Sequence, residues 1–501
     1  MLLVALTCVA CGNGRQNVAD AQRPIEMLVA NDAETLDPRY ATDAVALRTT
    51  RLIHAGLVRL DPVSLAPLPY AAKSWRWVDP TTLRVELRDD VRFHSGAPLR
   101  STDVVATLRA FASPKVASRV ARIVDAIDRA ETDGDHAVIV YLKRAHATLL
   151  TDLEVPILRA DQAESPPDPL GMLDGLGPYA VSRVERGAIT LTPVDGAALP
   201  RPAHAVVVRT VHDENARALR LYAGRADVAL NLVSPTLLTA MSSQQGLAVL
   251  SRPGSNLTYL VVREGRGALA SRDVRRAVAL AIDRELVART LLGGRGRAAA
   301  GVIPPAHWSF LPGAADEIDR TPLARIAYAP NIARELLRAA GTPRLTLSLL
   351  STTDRLRLSI ARVLAQQLAE VGIDLEVIPL ELGTLLARLN AGDFELASLQ
   401  MPEFTEPHLL RFFLHADFIP PGGNNRGRVD DAMLSALLDE GGRMTDVPER
   451  RRIYAAVDAR IREEMHVIPL WHEDQVVVTS ARARSFVPSA EGRWLSLAEI
   501  P

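Results

Sequence analysis

Few atoms in this chain are candidates for covalent or metal chemistry. Its 501 residues carry two cysteines, Cys8 and Cys11, and no thiol follows them. The rest of the chain therefore holds no disulfide framework, cysteine metal site or cysteine nucleophile. Of the 11 histidines, none pairs at a zinc-like spacing; His466 and His472 stand six apart with Pro469 between them. His94, in Phe93-His-Ser-Gly96, invites a metal or general-base reading. The alternative is a turn in which Phe93 packs, Gly96 and Pro98 shape the bend, and Ser101 or Asp103 starts a helix. No Gly-x-Ser-x-Gly elbow, phosphate loop or dinucleotide fingerprint occurs. No catalytic residue, metal site or cofactor is assigned. With 58 basic and 59 acidic residues the net charge is −1, so no overall field gathers nucleic acid or anionic lipid.

The elements that would position a site begin after an unusual N-terminus. Met1–Ala10 is apolar, too short for a membrane span and suited to an export signal. Ala10-Cys11 resembles a bacterial lipobox, which implies that Cys11 is lipidated and becomes the new N-terminus. Cys8 and the lack of Lys or Arg before the apolar run depart from that pattern, and a frayed apolar N-terminus is the other reading. Residues 11–25 read as a tether, placing the body in the periplasm or at the cell surface. A length of 501 residues with 48% apolar content predicts two or three domains.

Alternating runs predict strands at Glu26–Ala30, Leu83–Arg88, Ala188–Pro193, Ala205–Val211 and Leu257–Val262. Ser271 can cap a helix whose stripe starts at Val274 and which Gly293-Gly294 ends. Farther on, Leu345–Leu350, Ile373–Leu380 and Phe394–Gln400 read as strands, separated by helical stripes at Leu356–Val371 and Gly383–Asn390. Such β-α-β-α-β order builds parallel sheet. Ligands in open sheets of this type sit beyond the carboxyl ends of the strands. Those ends are Ser351–Thr352, Pro379–Glu381 and Met401–Glu403.

A run of motifs then resembles one family. Leu36-Asp-Pro, Ile53-His-Ala-Gly-Leu-Val-Arg-Leu-Asp and Leu68-Pro-Tyr-Ala-Ala-Lys-Ser-Trp look like the opening of the family 5 extracellular solute-binding proteins. These are dipeptide- and oligopeptide-binding components of bacterial ABC importers. Phe93-His-Ser-Gly-Ala-Pro-Leu, Gly175-Leu-Gly-Pro-Tyr and the Ser271–Arg284 stretch follow in the family's order, as do Gly392-Asp-Phe and Val467-Ile-Pro-Leu. The resemblance implies an α/β periplasmic binding protein fold of two lobes with a hinge, and an extra subdomain in the first lobe. Lobe I would be 26–45, 169–262 and 466–501, the extra subdomain 46–168, and lobe II 263–465. Trp75 and Trp77 are then packing residues.

The same resemblance implies a ligand-binding role for Glu403, in Glu403-Phe404-Thr-Glu-Pro407, as partner of a peptide's N-terminal ammonium. The competing reading is a solvated loop acid. Gln400 and Met401 stand where family members often carry an aromatic wall. Arg411 suits a ligand carboxylate or a helix surface, Asn425 a cleft wall or a polar loop, and Trp308 the cleft or the core. The expected partners are a peptide or other small solute, ABC permease subunits and, through the lipid anchor, the membrane. The protein is expected to be a monomer that binds no nucleic acid. A ligand sensor or chaperone-like lipoprotein of the same fold is the alternative function. A hydrolase lacks its convergent nucleophile and base.

Overall fold

The computed structural model describes residues 23–312, 326–401 and 403–501; the proposed export signal, Cys11 and the tether up to residue 22 lie outside them. One mixed sheet of eleven strands spans the molecule. At one end the apolar Ile25–Val29 pairs in parallel with Val206–Thr210 and Val228–Leu230. Ala188–Pro193 and Tyr179–Glu185 add antiparallel strands beyond them. At the other end Leu345–Thr352 runs parallel to Ile373–Leu380 and to Leu396–Met401. Helices Arg355–Ala369 and Leu382–Ala391 make the crossovers, the β-α-β-α-β unit read from periodicity.

Two long strands join the ends. Leu247–Val262 and Val467–Ser480 lie antiparallel, with residues 247–252 facing 475–480 and 256–261 facing 467–473. The register breaks between Arg252 and Asn256. Gly254 sits in that break, where a Cβ would come within 2.3 Å of the Glu473 carbonyl oxygen. Only a residue without a side chain fits there.

A separate four-stranded antiparallel sheet orders Ala72–Asp79, Thr82–Leu87, Ala137–Leu142 and Ile127–Thr132. Leu83, Val85 and Leu87 share its buried face, as their alternation requires. Helix Ser101–Ala112 covers it, and the core so formed draws on residues from Ala55 to Ala198. Trp75 and Trp77 pack against this core.

Asp side chains start many of the helices. Asp43, Asp213, Asp283, Asp354, Asp431 and Asp446 each accept a backbone N–H of the first turn. This corrects the single helix expected from Ser271 to Gly293. Ser271 makes no capping bond, the helix stops at Leu280, and Asp283 starts a second one, Arg284–Thr290. Arg284 turns inward there and donates to the carbonyls of Pro469, Ala279 and Ile326.

His94 belongs to a turn. Its Nε2 lies 2.9 Å from the Gly177 carbonyl oxygen, and Gly96 takes a φ of 88°. Gly175 leaves room for its ring: a Cβ there would stand 2.7 Å from His94 and 2.1 Å from the Ile53 oxygen. The Phe-His-x-Gly and Gly-x-Gly motifs therefore hold one another.

Candidate functional site

Glu403 follows the carboxyl end of strand Leu396–Met401, where the pattern argument placed a ligand. Its backbone has a φ of 47°, and its N–H donates to Asn256 Oδ1 at 2.9 Å. That bond ties the loop to the strand Leu247–Val262 just past its register break. The carboxylate points out of the loop toward helix Ala44–Ile53 of the other half, and its Oε1 accepts from Arg48 Nη2 at 3.2 Å. Both side chains keep part of their surface, 21% and 31%. A pair so hydrated contributes about 1 kcal/mol or less, so Arg48 is a partner that a ligand cation can replace.

Glu403 and Thr405 line a cavity of about 200 Å³ whose remaining walls come from the other half, among them Leu47, Arg51, Thr151, Glu154 and Arg493. Arg493 is the best-held charge. It is ion-paired with Glu154, and its Nε lies 3.1 Å from Glu491 Oε1. Burial opposes its charge, but Glu154 and Glu491 outweigh that and raise its pKa. Burial pushes the Glu491 carboxyl above its ordinary range. Arg51 is in the opposite position: burial and the neighbouring Arg493 both lower its pKa. Polar contacts also cross between the halves beside this cavity. Thr151 Oγ1 donates to Glu406 Oε2 at 3.1 Å, and Arg450 pairs with the same Glu406.

The other expected site residues fall elsewhere. Phe404 is fully buried, edge-on to His307 at 5.2 Å, so its ring supports the loop from the core side. Met401 is also core, beside a void of about 10 Å³. Both side chains are placed in the core and not in the cavity lining, while the left-handed backbone at Glu403 interrupts the strand's alternation. Gln400 is half-buried opposite Thr258 and is not among the residues lining this cavity. Asn425 is fully buried, its amide donating to the His415 and Val429 carbonyls and accepting from the Val429 N–H. It closes a loop and faces no cleft. Arg411 donates to Asp439 at 2.8 Å and lies over the Phe418 ring, which uses the fork that a ligand carboxylate would need. Trp308 is nearly buried under Arg450, and its backbone N–H reaches the Ser64 oxygen of the other half. It packs at the junction.

The residues that do meet Glu403 escaped sequence reading. Arg48 and Arg51 lie one turn apart on a single helix, a spacing that puts both on one face, which was the available signal. Glu154 and Arg493 come together across 339 positions of sequence. Among the described residues no group of His, Cys, Asp or Glu is arranged to hold a metal ion. No described helix is long and apolar enough to cross a membrane.

Comparison with known proteins fits this geometry. Residues 66–408 match the model for bacterial extracellular solute-binding proteins, family 5 middle. A probable di/tripeptide-binding protein 5 of Pseudomonas aeruginosa is 26% identical over 487 residues, covering 87% of this chain and 88% of that one. An ABC transporter substrate-binding protein, CtaP of Listeria monocytogenes, superposes with a TM-score of 0.84 at 20% identity, over 95% of this chain and 98% of its own. The periplasmic binding protein DppA of Helicobacter pylori, solved with the peptide STSA, gives 0.72 at 21% identity, over 95% and 99%. A sheet bridged by two long strands, a small antiparallel subdomain and a cavity between the halves thus coincide with a family match over most of the chain: the protein belongs to the family 5 extracellular solute-binding proteins of ABC importers, and it is a binding protein rather than an enzyme.

Proposed function

We propose that this chain captures short peptides outside the cytoplasmic membrane, tethered there by a lipid on Cys11, and hands them to an ABC permease as a monomer. Lobe I comprises 26–45, 169–262 and 466–501 with the subdomain 46–168, and lobe II comprises 263–465. The lobes close about the paired strands Leu247–Val262 and Val467–Ser480. The observation that carries the reading is that the Glu403 carboxylate, with Thr405 beside it, lines a cavity whose other walls come from residues 38–156 and Arg493. A peptide ammonium that displaces Arg48 gains a charge-assisted hydrogen bond in a sheltered site. The relatives' names support peptide as the solute class.

The test is thermal unfolding of the body from Gly12 onward, stripped of ligand, against pooled di- to pentapeptides, sugars and nickel chelates. A ligand at 100 times its Kd adds about 2.7 kcal/mol to stability. A peptide shift that Glu403→Gln abolishes is the expected result. A peptide shift that survives the substitution removes Glu403 from the site but keeps the importer. Silence with every pool favours the sensor alternative.

A further inference from the structure

Beyond the interlobe cavity lies a second space of about 240 Å³, walled by residues of 51–70, Glu154 and the C-terminal segment 487–499. The two spaces share Arg51, Glu154 and Arg493 as lining residues. What marks the second is its unused hydrogen-bonding capacity. His54, Tyr70, Glu491 and Trp494 line it and are 1%, 5%, 2% and 2% exposed. Both ring nitrogens of His54, the Tyr70 hydroxyl, Trp494 Nε1 and Glu491 Oε2 have no hydrogen-bond partner in the protein. Buried polar groups are normally paired, and an unpaired one is costly. Five such atoms around one chamber therefore indicate that a polar occupant satisfies them.

The balance of these atoms says what kind of occupant. Tyr70, Trp494 and one His54 nitrogen offer donors, whereas Glu491 Oε2 and the second His54 nitrogen accept. Arg51 adds a guanidinium that takes part in no hydrogen bond or ion pair among the described residues. Donors exceed acceptors, and the lining ions without a contact partner are two cations, Arg51 and Arg59, against one anion, the exposed Glu499. A carboxylate supplies the missing acceptors and the missing negative charge together.

We propose that this chamber receives a carboxylate of the bound solute, with Arg51 at its mouth as the charge partner and Tyr70 and Trp494 as neutral donors behind it. This assignment rests on the solute-binding reading and extends it: Glu403 and Arg51, on opposite walls of the interlobe cavity, suit the two ends of a zwitterion. The carboxylate is either a peptide's C-terminus or an acidic side chain, and the test separates these sources.

Trp494 provides a reporter inside the chamber. In protein labelled with ¹⁵N, its indole signal, one of five, is assigned by its loss in Trp494→Phe. Wild-type protein is titrated with Ala-Ala, Ala-Ala amide, Ala-Glu amide and succinate. The expected result is a shifted Trp494 signal with Ala-Ala but not with its amide, for a C-terminal carboxylate. A shift with Ala-Glu amide instead assigns the side chain. Succinate moves the signal in either case. Arg51→Gln weakens the carboxylate response at least tenfold, while the Trp308 signal and the unfolding midpoint without ligand show that the variant is folded. Three results overturn the inference: a Trp494 signal unmoved by every carboxylate, an equal response to Ala-Ala and its amide without any response to succinate, or an undiminished response in Arg51→Gln. If peptides stabilise the protein while Trp494 stays silent, the chamber assignment fails and peptide capture stands. If no peptide stabilises it but succinate moves Trp494, the peptide reading fails and the chamber stands.

Discussion

Asp37 and Arg39 show why a motif can matter without touching ligand. Both are fully buried, and the guanidinium meets the carboxylate through two bonds of 2.9 and 2.6 Å while also donating to the carbonyls of Ala163, Ser165 and Pro166. Removing one partner strands a buried charge. Asp37→Ala is expected to cost about 3–5 kcal/mol, read as a lowered urea midpoint, and a loss below 1 kcal/mol would contradict the account. Histidines set a pH limit by similar logic. Burial pushes His54 and His307 down to about 3. The folded state then holds fewer protons than the unfolded one below the ordinary value near 6.5. Their contribution is complete above that pH and falls by about 1.4 kcal/mol per unit for each as pH drops from 6.5 toward 3. Urea midpoints at pH 7.5 and 5.0 should differ less in His307→Gln than in wild type; equal differences would remove His307 from the effect. Single residues were also where sequence reading succeeded least. Glu403 was singled out because it sits at a strand's carboxyl end inside a motif. Arg48, Arg51 and Arg493 were not, since their meaning lies in partners up to several hundred positions away.

At the scale of elements the sequence was far more legible, because periodicity reports burial and burial is what holds strands and helices in place. Ile373–Leu380 and Ala188–Pro193 match their expected limits, and the parallel pairing followed from the order of elements alone. The reading failed where two elements share one apolar stripe. Ala277, Val278 and Ala281 continue smoothly toward Val287, yet the helix breaks where Asp283 captures the Leu286 N–H. The strand Leu247–Val262 shows the same limit: only its second part alternates clearly, so residues 247–256 were not read as strand. Its break at Pro253-Gly254-Ser255 is where the halves of the sheet meet. Ser255 N–H bonds the Ala490 oxygen there, and Gln475 donates to the same carbonyl. Gly254→Val forces a side chain onto the Glu473 carbonyl and should destabilise by about 1–3 kcal/mol. Chemical denaturation checks this, and an unchanged midpoint would show that the junction yields freely.

For the whole molecule several contacts bridge the cavity, and under the proposed lobe closure they are the contacts that closing makes. Besides Arg48–Glu403 and Thr151–Glu406, the Ala147 N–H donates to the Gly442 oxygen at 2.8 Å, the Trp308 N–H to Ser64 at 2.7 Å, and Arg122 lies 5.1 Å over the Phe412 ring. Each is a single hydrogen bond, ion pair or cation–π contact. Closure of this kind has a shallow balance, which a solute can tip only by its differential affinity for the closed form. Arg48→Ala tests that balance because it acts in two opposite ways. It deletes a closing contact worth about 1 kcal/mol or less, shifting the empty protein toward open forms by up to about fivefold. It also releases Glu403 for a ligand ammonium. Small-angle scattering of the empty variant should therefore give a larger radius of gyration than wild type. Saturating peptide should return both to the same compact value, with affinity changed less than the empty shape implies. A variant as compact as wild type without peptide would mean that Arg48 is only a place-holder for the ligand's ammonium. One that stays expanded with peptide bound would mean that the arginine is needed for closure itself.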